Sequence, residues 1–355
     1  MVYQLKKGNV FWRPKNPQPE TLFLIAATFL MQFMFGVDAS AVETVWEADV
    51  HAAAAPPVYE SGAVVVASAD KHLRAFDAES GNKLWDARLK APLMFPPAAA
   101  DGRVYITALR PLNKLLCFEA EKGKKLWSAD LDDHATAPAA VPAGVVVGSG
   151  DFIVLYGPDG TSVNKVKAED YVDAVYGFPG GILIVYVTGE IALYDGELVN
   201  IVARCNLGGG RSYPLLTDNG VLFARYDGEA VMTDDNLNVV WRAVLPGRVA
   251  SPPVAYGDSY VMSCLGGGVA YVSEKGVVEK YTPLGSNVYG SPVIVDGNVY
   301  VLTEKGVIYV LGSGGAAEEF DVLKFKTSGG LFLFDGKLWA ADGEGRVRVY
   351  FVNED

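Results

Sequence analysis

Few residues of this 355-residue chain have the types and spacing that catalysis needs. Its three histidines, His51, His72 and His134, are never paired at metal-ligand spacing, so neither a histidine metal site nor a Ser/His/Asp triad is expected. The three cysteines, Cys117, Cys205 and Cys264, are never adjacent and read as small buried apolar residues, not as a disulfide, metal or nucleophile set. Asp132-Asp133, Asp227 and Asp234-Asp235 sit in turn-like stretches, where an aspartate caps its own backbone. The runs Gly208-Gly209-Gly210 and Gly266-Gly267-Gly268 open no helix, which a phosphate-binding loop requires.

What remains is the chemistry of recognition. Arginine and aromatic residues dominate binding hot spots, and they recur in the loops LKAPLMFP, LDDHATAP, LGGGRSYP, LPGRVASP and LGSNVYGSP. The candidates for contact with a partner are Phe95, with Leu93 and Met94 beside it, then His134, Arg211, Tyr213, Arg248 and Tyr289. Arg211 and Arg248 are separated by close to one repeat, which would set them side by side to meet a carboxylate or the carbonyls of a strand. The alternatives are local ion pairs for the arginines and a place in the core for Phe95.

These loops belong to a repeat of about 39 residues. LRAFDAESGNKLW, ending at Trp85, and LLCFEAEKGKKLW, ending at Trp127, show it best. The closing position can be followed through Trp46, Trp85, Trp127, Val166, Cys205, Trp241, Tyr281 and Phe320. A proline near the start of the units, at Pro57, Pro97, Pro138, Pro214, Pro252 and Pro292, gives the same period, with Tyr176 where one unit lacks it. Within a unit, β-branched runs alternate with turns such as DGN and EKG, the pattern of a meander. Four short strands in about 40 residues is one blade of a β-propeller, and closure into a ring removes the exposed sheet edges. The expected fold is therefore all-β, an eight-bladed propeller of four-stranded antiparallel blades over residues 42–355. The last unit has residues for three strands only, so the segment around Trp46 is expected to supply its fourth and close the ring.

The shared pattern, Phe, Asp or Glu, Ala, then Gly three residues on and Leu-Trp three after that, resembles the tryptophan-docking repeat of PQQ-type propellers. Phe76, Asp77, Gly81 and Trp85 carry the match in blade 1, and Phe118, Glu119, Gly123 and Trp127 in blade 2. The resemblance implies structural roles: a left-handed glycine at the last turn, and tryptophans, among them Trp46 and Trp241, packed between blades. By size the chain resembles the BamB-like family, propeller subunits of outer-membrane β-barrel assembly, which implies a non-catalytic scaffold without a cofactor. The longer quinoprotein dehydrogenases of this class carry a vicinal cysteine pair, absent here, so a funnel binding PQQ or another small ligand is the alternative. The chain departs from BamB in having no cysteine before Cys117, and thus no site for a lipid anchor after its leader.

Residues 1–20 form a basic leader, with Lys6, Lys7, Arg13 and Lys15 against Glu20, and Thr21 to Val37 continue the chain without a charge. Such a flank directs the remainder of the chain outward. As a helix the segment would reach about 26 Å, enough to span a bilayer, so it is expected to be an N-terminal anchor helix; cleavage near Ala41, after the Ala39-Ser40-Ala41 site, is the other outcome. The propeller is expected to be extracytoplasmic, anchored to the inner membrane or secreted, with protein subunits of a membrane or envelope complex as partners. The net charge of −12 argues against nucleic acid.

Overall fold

The computed structural model describes residues 44–50, 55–178, 180–312, 316–323, 326–327, 330–341 and 345–352. The expected leader and anchor helix lie outside the described residues. Among the described residues no helix is long and apolar enough to cross a membrane. The unit spanning Glu43–Asp355 is all-β.

Eight antiparallel sheets succeed one another along the chain. Blade 1 spans 58–88, blade 2 98–130, blade 3 139–167 and blade 4 172–206; blade 5 spans 212–244, blade 6 248–283 and blade 7 293–322. Blade 8 takes three strands from 331–351 and its outermost strand from Thr44–Asp49, which runs antiparallel to Arg346–Phe351 with Trp46 opposite Val349. The N-terminal strand therefore closes the ring. Blade 6 departs from four strands. Its innermost strand is split into Arg248–Val249 and Val254–Tyr256, both paired with Ser259–Leu265. Pro252 and Pro253 fall in the gap, and neither has an N–H to give to the ladder.

The middle strands of each blade are apolar almost throughout because neighbouring blades cover both faces. Ala63–Ala67 and Gly181–Tyr186 are buried at every position, whereas outer strands such as Lys83–Arg88 alternate. The core is accordingly a set of layers between blades. Val65, Leu73, Ile106 and Phe118 fill the layer between blades 1 and 2, and Val64, Phe76, Trp339 and Val349 that between blades 8 and 1.

The tryptophans hold these layers together. Trp85 of blade 1 lies on Gly123 of blade 2, its Nε1 donating to the Ala120 carbonyl at 2.7 Å. Trp127 meets Gly160 and donates to Pro158 at 2.9 Å, and Trp241 meets Gly276 and donates to Glu274 at 2.8 Å. Across the closure Trp46 covers Gly81, where an added Cβ would come within 2.4 Å of the indole. Each of these glycines has a positive φ and no room for a side chain. Asp77 supports the blade 1 turn by accepting from the Ser80 N–H at 2.8 Å.

Strand pairing corrects the closing position in four other blades. A bulge in the outer strand places Asn164, Ala203 and Lys280 opposite Leu155, Leu193 and Tyr271, as Trp85 is opposite Ala75. The repeat position is thus Asn164, Ala203 and Lys280, not Val166, Cys205 and Tyr281. In blade 7 it is Glu319, and Phe320 is the extra residue at the register shift.

Candidate interaction site

Four residues beyond each of these positions, a backbone N–H donates to the turn between the second and third strands of the same blade. The bonds are Val50 to Gly345 (2.6 Å), Leu89 to Lys71 (2.7 Å), Leu131 to Asn113 (2.9 Å), Ala168 to Asp151 (2.8 Å), Leu207 to Gly189 (3.0 Å), Leu245 to Gly228 (2.8 Å), Leu284 to Gly267 (2.6 Å) and Leu323 to Gly306 (2.7 Å). This bond, present in all eight blades, brings every lead-in loop and every such turn to one end of the ring. The leucines that open LDDHATAP, LGGGRSYP and the loops like them are its sequence signal.

On that end the chain builds an arc from blade 3 to blade 6. His134, exposed and with φ of 63°, sets its ring edge-on against Tyr171 at 6.0 Å. Tyr171, 60% exposed, accepts at its carbonyl the N–H of Val187, itself 55% exposed in the blade 4 turn. The exposed Arg211 side chain reaches Asp173 through Nε at 3.4 Å, and its carbonyl accepts the N–H of Tyr226 at 2.9 Å. The Arg248 guanidinium lies 5.6 Å from the centre of the Tyr226 ring, a cation–π contact. Clefts of about 290 Å³, beside Arg110, Asn113, Asp133 and His134, and about 230 Å³, beside Asp151, Glu169 and Tyr171, open along the arc.

A buried arginine fixes this corner. Arg225, 4% exposed, ends the second strand of blade 5 and donates to the carbonyls of Leu207, Gly208 (3.1 Å) and Gly209 (3.2 Å). Its hydrogen bonds hold the Asp227 carboxyl below the usual range. Close backbone packing falls on Gly189, where a Cβ would lie 1.7 Å from the Gly208 carbonyl oxygen, while in the glycine run Gly208 and Gly210 take positive φ.

Of the residues expected to bind, His134, Arg211 and Arg248 fall in the arc. Tyr213 is half-buried beneath it, opposite Ala224, and burial pushes its phenol up. Phe95 and Tyr289 lie in the lead-in loops of blades 2 and 7, both half-buried; Leu93, not Phe95, enters the core there, while Met94 is 55% exposed. Tyr171, Val187 and Tyr226 carry no sequence signal of membership, and Arg225 has one, a charge ending the apolar run GVLFAR.

Other chemistry is weakly represented. Among the described residues no group of three or more His, Cys, Asp or Glu side chains could hold a metal ion. The cysteines are free, and burial pushes the Cys117 thiol up to about 12 and those of Cys205 and Cys264 up to about 11. Turn carboxylates cap their own turns: Asp234 accepts from the N–H groups of Asn236 (2.9 Å) and Asn238 (2.8 Å). Asp133 instead pairs with Arg110.

Comparison with known proteins agrees with the repeat and the ring. Residues 35–170 match the family model described as outer membrane protein assembly factor BamB, which takes in the closing strand and blades 1 to 3. Among solved structures, BamB from Moraxella catarrhalis is similar at 15% identity and a TM-score of 0.75, over 89% of this chain and 99% of that one. The computationally designed Ika8 protein is similar at 16% identity and 0.73, over 88% and 100%. Sqt1 from Saccharomyces cerevisiae has 9% identity and 0.74, again over 88% and 100%. No curated protein matches the chain in sequence. Residues 35–170 are thus similar to the BamB family, and the chain as a whole has the eight-bladed propeller fold. At these identities the solved structures speak to the fold alone.

Proposed function

We propose that this protein is a non-catalytic, extracytoplasmic interaction subunit of a membrane or envelope complex, which docks a protein partner on the loop end of blades 3 to 6. One observation carries the reading. The exposed aromatic, apolar and arginine side chains of that end form an arc of two linked groups, His134–Tyr171–Val187 and Arg211–Tyr226–Arg248, held by ring and backbone contacts and bridged by the ion pair of Arg211 with Asp173, two residues after Tyr171. These are the residue types that anchor protein interfaces. The likeness to BamB, whose family description is that of an outer-membrane assembly factor, supports the same class of role. In this reading residues 21–37 either anchor the protein in the inner membrane or are removed near Ala41.

The test is an affinity pull-down of the C-terminally tagged protein from detergent-solubilised membranes, with intact-mass measurement of the purified chain. A full-length mass with inner-membrane partners supports an anchored subunit. A chain beginning at Val42 with outer-membrane β-barrel partners supports a BamB-like one. A chain without partners sinks the reading and turns attention to a small ligand such as PQQ in the funnel.

A further inference from the structure

We infer that the Arg211–Tyr226–Arg248 corner takes a carboxylate carried by an extended segment of the partner, with apolar side chains on either side of the acidic residue. This rests on the docking of a protein partner at this end and specifies the chemistry of what docks.

Charge is the first argument. The chain has 42 acidic and 30 basic residues, yet this corner presents two exposed arginines from adjacent blades, Arg248 on the Tyr226 ring and Arg211 with its carbonyl on the Tyr226 N–H. Arg248 meets the face of Tyr226, which attracts the cation without neutralising it. Arg211 meets Asp173 through Nε at 3.4 Å and hydrogen-bonds Tyr213, and its side chain remains 68% exposed while that of Asp173 is 19% exposed. A net-acidic protein with a local cationic notch favours an acidic partner surface and repels most others.

The apolar surroundings are the second argument. Tyr171 at 60%, Val187 at 55% and Tyr226 at 41% exposure lie along the arc, and Val244, at the end of the outer strand of blade 5, is 82% exposed. A small free anion would leave this apolar surface in water. A polypeptide with apolar residues beside its acid covers it, and the area removed from water adds to the charge contact. The third argument is rigidity, since Arg225 locks the backbone that carries Arg211 and lowers the ordering cost of binding.

The experiment is site-specific cross-linking in the full chain, with the photoreactive residue p-benzoylphenylalanine at Tyr226 and, separately, at Met94 as a remote control. The captured peptide is then sequenced by mass spectrometry. The expected result is capture at Tyr226, not Met94, of a segment with Asp or Glu flanked by apolar residues. Arg211→Gln and Arg248→Gln should each weaken retention of that partner about tenfold at moderate salt. Changing the captured acid to Arg should restore binding to the Arg248→Glu variant. Capture of a segment without an acidic residue overturns the inference, as does retention insensitive to both arginine variants. A partner that co-purifies but gives no Tyr226 cross-link overturns it too and leaves the docking reading standing; absence of any partner defeats that reading itself. Because both arginine side chains are exposed, unchanged thermal melting of the variants separates lost contact from lost folding.

Discussion

Asn164 in blade 3 donates from Nδ2 to the carbonyl of Leu198 in blade 4 at 3.0 Å, making the interblade bond that Trp127 makes to Pro158 one blade earlier. The exchange is two-sided. Leu198, fully buried with φ of 58°, stands at a turn whose counterpart in blade 3 is Gly160, and its side chain joins the layer between blades 3 and 4. Blades 4 and 5 repeat the arrangement with Ala203 and Leu237, where φ is 60°. A large ring on a bare turn is replaced by a small residue facing a turn that brings its own apolar side chain. Asn164→Trp alone should overfill the layer, and Leu198→Gly alone should leave a cavity, each costing about 2–4 kcal/mol. The double variant should recover part of both losses, read as a favourable coupling in urea-unfolding cycles. Strict additivity would show that the two positions are not one site.

Closure of the ring predicts a sharper contrast between two glycines of blade 1. Gly81, at φ of 71°, has the Trp46 ring where a Cβ would go, whereas Gly62, at φ of 78°, has nothing within 4 Å. Gly62→Ala should cost only the left-handed backbone strain, about 1–2 kcal/mol. Gly81→Ala adds displacement of the indole and should cost roughly 2–5 kcal/mol. Deleting Val42 to Ala48 should destabilise the entire propeller, since blade 8 would then expose an unpaired strand edge in place of its fourth strand. Unchanged melting after that deletion would refute closure by the N-terminal strand.

The ring is legible in the sequence because repetition multiplies a weak signal. Trp85 and Trp127, with their glycines and prolines, set a period, and the surplus strand at Trp46 supplies the closure. The period misplaces the closing residues of blades 3, 4, 6 and 7 because the units differ in length by a residue or two, and once the tryptophan is gone nothing in the strand marks the position; the outer-strand bulge itself is shared with the tryptophan blades. The split in blade 6 has a signal in Pro252-Pro253 that the period alone does not weigh. The arc is half legible. Arg211 and Arg248 stand out by type and spacing, but Tyr226 comes from a turn rather than a lead-in loop, and only the fold brings the two together.

Acid should weaken the closure in a specific way. Arg74, 5% exposed, donates to the Val50 carbonyl at 2.8 Å and to Asp70 at 2.6 and 3.1 Å, with Asp86 at 3.3 Å. Burial alone would raise the Asp70 and Asp86 carboxyls. The hydrogen bonds and charge of Arg74, with the His72 contact at Asp86, more than reverse this and hold both below the ordinary range. A folded-state pKa below the unfolded one gives stability that is complete above the unfolded value of about 4 and is lost as pH falls through the folded value. Melting temperature should therefore drop below about pH 4. Asp70→Asn should lower stability at neutral pH and flatten the acid slope. An identical slope in wild type and variant would show that Asp70 does not contribute to it.

Arg225 offers the clearest separation of support from contact. It touches no exposed surface of the arc, but its guanidinium joins the carbonyls of Leu207, Gly208 and Gly209 to Asp227, and Arg211 follows two residues after Gly209 in the chain. Arg225→Ala removes these bonds and leaves the buried Leu207 carbonyl without this donor, at a cost of roughly 2–4 kcal/mol. Arg225→Lys keeps the charge but not the planar fork that reaches several oxygens at once, and should fall between the two. Amide exchange of residues 207–211 should accelerate in both variants while blades 1 and 2 keep their protection, because the bonds are local to the junction of blades 4 and 5. Partner retention should fall with that acceleration, in contrast to Arg248→Gln, which should weaken binding without altering exchange. Equal exchange in Arg225→Ala and wild type would show that the loop holds its shape without the arginine.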